Sequence, residues 1–185
     1  TFRSKVITGL LWTGGARLVG QLFTWAITLF VIRLLTPSDY GLLAMATLFS
    51  GLLTLVAEAG LGTAVVNAPN IDDITLRKVF GSAILINCTL FAIQYCVAPL
   101  IAAFFQEDRL ILIVQVLAVQ FLLMTFTVIP TAVLSRKLDF KSQSILALIG
   151  AALGSLSSLA LALAGYGVWA LILGSLIVFA WKGIA

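Results

Sequence analysis

Long apolar segments separated by short polar ones follow one another along the chain. The first segment extends from Val6 to Leu35, which exceeds the roughly twenty apolar residues that cross a bilayer as a helix. Five further segments of similar character come after it. The pattern predicts an all-α polytopic membrane protein whose residues 1–185 form six transmembrane helices, at about 6–35, 38–58, 79–104, 109–134, 142–164 and 167–182.

The first segment carries a polar stripe. Thr13, Arg17, Gln21, Thr24 and Thr28 fall on one face of a helix, whereas the other faces carry Leu, Ile, Phe, Val and Trp. A charge at membrane depth costs at least ~3 kcal/mol on insertion scales, and such a charge usually serves function. We therefore predict that the stripe lines a water-filled cavity. The alternative leaves Arg17 extended to the headgroups and the other side chains bonded within or between helices.

A second polar stripe follows on the next predicted helix. Thr47, Ser50 or Gly51, Thr54 and Glu58 recur at helical spacing, with Glu58 near the carboxyl end. An acid in that place opposes the helix dipole, so it lies at the interface, in water or beside a partner. The two stripes together predict one cavity shared by helices 1 and 2.

Short polar motifs predict where helices begin, end and pack. Thr36-Pro37-Ser38-Asp39 has the residues of a capping box with proline at the first helical position. Tight turns are predicted at 106–109 and 165–167. Helix 5 carries small residues at the spacing that brings helices close together in lipid, namely Gly150, Gly154, Ser157 and Ser158.

Glycine and proline residues predict interruptions of the helices. The run 60–63, Gly-Leu-Gly-Thr, is expected to end helix 2, and a connector at 64–79 is expected to hold a short interfacial helix before helix 3. Pro99 is expected to kink or end helix 3, and Pro130 to kink or break helix 4. Residues 135–142 then form a basic loop.

Composition narrows the class of protein. Of the residues, 62% are hydrophobic and 10% charged, whereas soluble domains average about 25% charged residues. The chain begins with Thr1 and ends just after an apolar segment, so it is expected to be part of a longer protein, and no cleavable signal peptide is evident. It contains no histidine, which excludes histidine-based metal sites, proton relays and catalytic triads from these residues, and no cofactor or metal is predicted.

The two cysteines are predicted to be packing residues. Cys88 and Cys96 fall in one apolar segment, where a helical rise of ~1.5 Å per residue separates them by about 12 Å. That distance is too long for a disulfide.

Basic residues are distributed unevenly between the two sides of the predicted bundle. Only Arg33 and Arg109 lie in the loops that follow odd-numbered helices. The positive-inside rule then predicts that both ends of the chain are cytoplasmic, which agrees with an even number of spans. The predicted cytoplasmic segments hold eight basic residues: Arg3, Lys5, Arg77, Lys78, Arg136, Lys137, Lys141 and Lys182.

Four short segments resemble motifs of bacterial polysaccharide flippases. Segment 34–42, LLTPSDYGL, is similar to their RLLTPxDYGL pattern, and segment 58–66, EAGLGTAVV, to their ExGLxxA(L/V) pattern. Segments 132–140, AVLSRKLDF, and 164–171, AGYGVWAL, are similar to ALLxRxLxF and GxGVWAL. In this order the four segments are distributed over residues 34–171. Together they make the chain resemble the lipopolysaccharide, O-antigen and colanic-acid type of oligosaccharide flippase in the multidrug/oligosaccharidyl-lipid/polysaccharide exporter superfamily.

The resemblance implies an exporter of two six-helix lobes around a central cavity, of which this chain would be the amino-terminal lobe. It implies that undecaprenyl-pyrophosphate-linked oligosaccharide repeat units cross the bacterial cytoplasmic (inner) membrane for surface polysaccharide biosynthesis. The expected partners are the lipid-linked oligosaccharide, membrane lipids and the carboxyl-terminal lobe of the same chain, with no nucleic acid. Relatives that move peptidoglycan precursor also carry arginines on their first helix, and Arg17 is similar in type and rough depth.

Such a substrate has an anionic head, a polar glycan and a polyprenyl tail. Arg17 would offer the pyrophosphate an always-charged donor fork, and Gln21, Thr24 and Thr28 would hydrogen-bond sugar hydroxyls. Trp25 either stacks on a sugar face or packs in the membrane. Glu58 either couples transport to protons, pairs with a base or is simply an interfacial acid. Further polar residues in the spans either contact the substrate or, as we expect, make interhelical bonds: Asn87, Gln94, Gln115 and Gln120.

Three other functions remain as alternatives. An enzyme that transfers phosphate or sugar needs acidic loop clusters for Mg²⁺, and the Asp72-Asp73 pair is explained as a helix start, so no enzyme is predicted. An ion-coupled small-molecule or drug exporter of the same superfamily would favour an acidic cavity for cations, whereas helix 1 offers Arg17 and no carboxylate. The third alternative is a membrane scaffold subunit of polysaccharide assembly.

Overall fold

The computed structural model describes the backbone of residues 18, 20–66, 73–136 and 140–184, and the side chains of 18, 20–57, 80–127, 142 and 144–183. The described backbone is helical apart from short links and contains no strand. Its helices confirm the predicted all-α class. They are α1 (Gly20–Leu34), α2 (Pro37–Val66), α3 (Asp73–Phe105), α4 (Arg109–Arg136), α5 (Phe140–Leu163) and α6 (Val168–Ile184).

Four of these helices are long and apolar enough to cross a membrane. The spans they contain are Pro37–Ala57, Phe80–Phe105, Arg109–Thr127 and Ser144–Leu163. The described part of α1 and the helix α6 are also apolar but shorter, over Gly20–Leu34 and Val168–Gly183.

Large apolar side chains lie on the outside of these helices, and several polar ones lie inside. Leu55, Leu85 and Leu100 are each more than half exposed, whereas Asn87 and Gln94 are buried. Water would disfavour such an outer surface, and lipid accommodates it. Buried polar residues are common inside membrane helix bundles, where they bond across helices or serve function.

The predicted capping box at the start of α2 is confirmed. The Asp39 carboxylate Oδ2 accepts hydrogen bonds from the Thr36 backbone N–H at 3.0 Å and from the Thr36 hydroxyl at 2.7 Å. The Asp39 N–H in turn donates to the Thr36 Oγ1 at 3.4 Å and to the Thr36 carbonyl at 3.0 Å. These bonds pair backbone groups that a helix start otherwise leaves without partners.

The two predicted tight turns are also confirmed, and both follow the Schellman pattern. At the end of α3, the Glu107 N–H donates to the Ala102 carbonyl at 3.1 Å, and Gln106 has a φ of 55°. At the end of α5, the Tyr166 N–H donates to the Leu161 carbonyl at 3.1 Å, and Gly165 has a φ of 81°. A left-handed residue just past the helix closes each turn.

The predicted break after helix 2 is wrong. The helix continues through residues 60–63 and ends at Val66. Each glycine costs a helix about 1 kcal/mol relative to alanine, which is less than the cost of leaving backbone groups unpaired in an apolar environment. The prediction of a separate interfacial helix before helix 3 is also wrong, because α3 is continuous from Asp73 to Phe105.

The prolines do not end their helices. Pro99 lies inside α3, which continues to Phe105, and Pro130 lies inside α4, which continues to Arg136. A proline removes one backbone hydrogen bond, and membrane helices tolerate that loss because neighbouring groups compensate it. The predicted basic loop is shorter than expected, since α5 already begins at Phe140 and residues 137–139 lie outside the described part of the chain.

The chain divides into two compact units. The first, which we call the α1/α5/α6 unit, comprises Thr1–Leu35 and Pro130–Ala185. Within it, α5 and α6 cross at two glycines. A methyl group added at Gly174 would come within 2.9 Å of the Ser158 Cβ and 3.0 Å of the Gly154 carbonyl oxygen. This confirms the close packing that the small residues of helix 5 predict.

Trp181 adds a polar link between the same two helices. Its indole N–H donates to the Leu146 carbonyl at 3.2 Å, and its ring lies against the backbone of Gly150, where an added methyl group would be 3.0 Å from Cδ1. This hydrogen bond joins α6 to α5.

The second unit, which we call the α2/α3/α4 unit, comprises Thr36–Ile129. Ala57, Leu90 and Phe121 form a buried cluster that draws one residue from each of its three helices. Partly buried apolar side chains pack around the cluster: Leu53, Ile86, Phe91 and Met124.

Candidate functional site

The described part of the polar stripe on the first helix lies beside a row of buried residues. The buried residues of α1 are Ile27 and Val31, about one turn apart, and Leu35, directly after the helix, is buried as well. Gly20 lies about two turns before Ile27 on the same face of the helix. A methyl group added at Gly20 would come within 2.5 Å of the Leu148 side chain of α5. α1 therefore buries one narrow edge, which lies against α5 at Gly20, and most of the described α1 surface is exposed.

Three of the predicted site residues flank this row of buried residues. Thr24 is half-buried, whereas Gln21 and Thr28 are exposed. The Thr28 hydroxyl donates to the Thr24 carbonyl at 2.8 Å, which satisfies its proton locally and leaves its oxygen able to accept. The exposed Gln21 amide carries both donors and an acceptor. This edge of α1 can therefore offer hydrogen bonds to a polar molecule alongside it.

Trp25 lies on a different part of the α1 surface. It is 61% exposed, and the residues at helical spacing from it, Leu18, Leu22 and Leu29, are all exposed as well. The surroundings on its own helix are thus apolar. This position fits the membrane-packing alternative, and stacking on a sugar remains a prediction.

The two charged site residues lie outside what the structure describes. Arg17 precedes the described part of α1, and Thr13 does so too. Glu58 belongs to α2 by its backbone, while its side chain is outside the described side chains. The roles assigned to Arg17 and Glu58 therefore stay predictions, and so does the shared cavity.

The stripe on α2 points in more than one direction. Thr47 is exposed and donates to the Leu43 carbonyl at 2.8 Å, whereas Ser50 is buried and donates to the Ala46 carbonyl at 3.1 Å. Thr54 is half-buried and donates to the Ser50 carbonyl at 2.8 Å. Each of these hydroxyl protons is bonded within α2 itself, and only Ser50 reaches another helix through its oxygen.

Gln94 links all three helices of the α2/α3/α4 unit. Its side-chain Nε2 on α3 donates to the Ser50 Oγ of α2 at 2.9 Å and to the Val114 carbonyl of α4 at 3.0 Å. The side chain is 1% exposed. This confirms the interhelical bond predicted for Gln94, and the sequence does not reveal that one amide serves both neighbours.

The same prediction is wrong for Asn87. Its side chain is fully buried, yet neither Nδ2 nor Oδ1 has a hydrogen-bond partner in the described part of the chain. The Gln94 Oε1 is also without one there. Within the residues that the structure describes, no group of three or more Cys, Asp or Glu side chains is placed to hold a metal ion.

A family model described as "Polysaccharide biosynthesis protein" matches residues 30–184 of this chain. The match begins after Thr28, so it covers none of the site residues predicted on the first helix and includes Glu58. No solved structure matches the chain.

Curated proteins with related names are similar to most of the chain. The succinoglycan biosynthesis transport protein ExoT of Rhizobium meliloti is 23% identical over 140 residues, which are 76% of this chain and 28% of that protein. An uncharacterized membrane protein in the cps region of Klebsiella pneumoniae is 22% identical over 140 residues, or 76% of this chain and 29% of its own length.

A further relative matches a shorter part of the chain. The teichuronic acid biosynthesis protein TuaB of Bacillus subtilis is 27% identical over 90 residues, 49% of this chain and 19% of that protein. In each case the matched region is less than a third of the relative's length.

Proposed function

The chain belongs to the polysaccharide biosynthesis protein family, and from that premise we propose that it is part of a flippase for lipid-linked oligosaccharides. The substrate of the proposed reaction is an undecaprenyl-pyrophosphate-linked repeat unit, carried across the cytoplasmic membrane for surface polysaccharide biosynthesis. The observation that carries the proposal is the family match over 30–184. The name of the succinoglycan transport protein, which is similar over 76% of this chain, supports export over synthesis.

The architecture of the chain suits a transporter. Four of the described helices are long and apolar enough to cross a membrane, and α1 buries one edge while Gln21 and Thr28 beside it stay exposed. A polar molecule that crosses a bilayer needs such flanks along its path, because hydrocarbon offers it no hydrogen bonds. The exposed Gln21 and Thr28 of α1 supply some of them.

In the proposed mechanism Arg17 binds the pyrophosphate, since its planar fork matches phosphate oxygens and stays charged at any physiological pH. Gln21, Thr24 and Thr28 follow it toward the other end of α1 and hydrogen-bond the sugars. Release on the far side requires that the arginine contact weaken as the transporter rocks around the site. The remaining length of the protein would supply the second lobe, as the resemblance to two-lobe exporters implies.

The proposed function is tested in a strain that lacks the full-length protein. We expect this strain to accumulate lipid-linked repeat units in the cytoplasmic membrane and to lose the surface polysaccharide, and the intact gene to restore export. Lipid extraction with glycan analysis measures the first quantity, and surface glycan staining the second. A strain that makes no lipid-linked repeat unit at all would contradict the proposal and would favour the scaffold alternative.

Membrane topology gives a separate prediction. With both ends of the chain in the cytoplasm, a cysteine in place of Leu138 should react only with reagents that enter the cytoplasm, and one in place of Glu107 should react from the periplasm. Both are introduced into full-length protein from which the exposed native Cys88 and Cys96 have been removed. Membrane-impermeant maleimide labelling of intact spheroplasts reads out the side. Labelling of the Leu138→Cys variant from outside would contradict the topology.

A further inference from the structure

Asn87 presents an unpaired amide in the interior of the α2/α3/α4 unit. The residue is 0% exposed, and its Nδ2 and Oδ1 both lack a partner in the described part of the chain. A buried amide without hydrogen bonds costs roughly 2–7 kcal/mol depending on the reference state, so this side chain calls for a partner beyond the described side chains.

The hydrogen bonds of Gln94 show which residues of α2 and α4 lie level with Asn87. Successive helices of this unit run antiparallel, and Gln94 is bonded to Ser50 on α2 and to Val114 on α4. Seven residues in an α-helix are close to two full turns, so Asn87 lies on the same face of α3 as Gln94. The same step along the neighbouring helices leads to Ala57 and Phe121, and both belong to the buried cluster with Leu90.

Two of the side chains near this level are small. Ala57 on α2 is fully buried, and so is Ala83, which precedes Asn87 by one turn on α3. Alanine leaves more room beside an amide than the leucine and phenylalanine elsewhere in the cluster. Buried polar groups without protein partners commonly hold ordered water in proteins, where a water typically makes about three hydrogen bonds.

We infer that Asn87 binds at least one internal water molecule between α2, α3 and α4. The amide oxygen accepts a proton from the water and the amide nitrogen donates to a water oxygen, and carbonyl groups of the surrounding helix turns provide further acceptors. A cation is disfavoured as the ligand, because the Asn87 side chain offers it a single neutral oxygen and the described side chains around it offer no carboxylate. The inference concerns the interior of one unit and does not depend on the proposed transport function.

Radiolytic hydroxyl labelling with mass spectrometry tests the inference on the full-length protein in detergent. A short X-ray pulse turns bound water into hydroxyl radicals that label adjacent side chains even where bulk water does not reach. Leu90, one turn from Asn87, is only 5% exposed, so we expect it to be labelled at least several-fold faster than its exposure predicts. Ile101 is the matched control, since it is 2% exposed on the same helix and lies ~21 Å away at 1.5 Å per residue.

The labelling of these two side chains decides between the outcomes. Labelling of Leu90 without labelling of Ile101 supports a localised water, and its loss in Asn87→Leu protein supports Asn87 as the ligand. No labelling of Leu90, or equal labelling of Leu90 and Ile101, overturns the inference, because the second result reports general opening of the helix. If Asn87→Leu protein is not recovered, Asn87→Ala serves instead, and the wild-type comparison stands without either variant.

Discussion

Replacing Arg17 by alanine is expected to abolish export of the finished glycan while the protein still inserts and reaches its normal level in the membrane. The substitution removes the only charged residue of the polar stripe on the first helix, and with it the proposed ligand of the pyrophosphate. Contacts to an anion excluded from water are worth several-fold more than surface contacts. Complementation of a strain that lacks the full-length protein, with membrane levels measured in parallel, gives the result.

Two further variants separate anion binding from other roles of an arginine. Arg17→Lys is expected to restore export only in part, because an ammonium group lacks the bidentate fork. Arg33→Ala is the matched control: this arginine lies near the other end of the first helix and is exposed, so its loss should leave export near normal. Full export by the Arg17→Ala protein at ordinary expression would contradict the proposed site and would favour the headgroup alternative.

The helices and their caps were predictable because their causes are local. A run of apolar residues long enough for a bilayer forms a helix wherever it occurs, since lipid leaves the backbone no other partner. The capping box at Thr36 and Asp39 needs only two side chains three positions apart. The predicted break after helix 2 failed for the opposite reason, because the intrinsic cost of glycine is small beside the requirement that buried backbone stay paired.

The interior polar contacts were only partly predictable, because they depend on the register between helices. Asn87 and Gln94 have similar amides and lie on the same face of α3, so the sequence predicts the same role for both. In the structure Gln94 reaches a hydroxyl and a carbonyl on two neighbouring helices, whereas Asn87 is level with Ala57 and Phe121, which offer no side-chain hydrogen bonds. The site on α1 remains a prediction at Arg17, since its side chain lies outside the described residues.

Replacing Gly154 by alanine is expected to destabilise the packing of α5 on α6. The added methyl group would overlap the Val178 side chain and approach the Gly174 carbonyl oxygen of α6 to 2.9 Å. The side chain of Val178 can turn aside, but the backbone carbonyl moves only if the helices separate. Overpacking of this kind costs typically 1–3 kcal/mol, which outweighs the gain of about 1 kcal/mol that alanine brings to a helix, so the midpoint of thermal unfolding of the full-length protein in detergent should fall.

The same substitution at Gly51 is the matched control for this effect. Gly51 lies in the middle of α2, and an added methyl group there meets nothing within 4 Å. Alanine favours a helix by about 1 kcal/mol over glycine, so Gly51→Ala protein should unfold at the same temperature as the wild type or higher. If the two variants were equally stable, the close approach at Gly154 would not limit how α5 packs on α6. A lower midpoint for Gly154→Ala alone would show that the close packing of α5 on α6 depends on glycine at position 154.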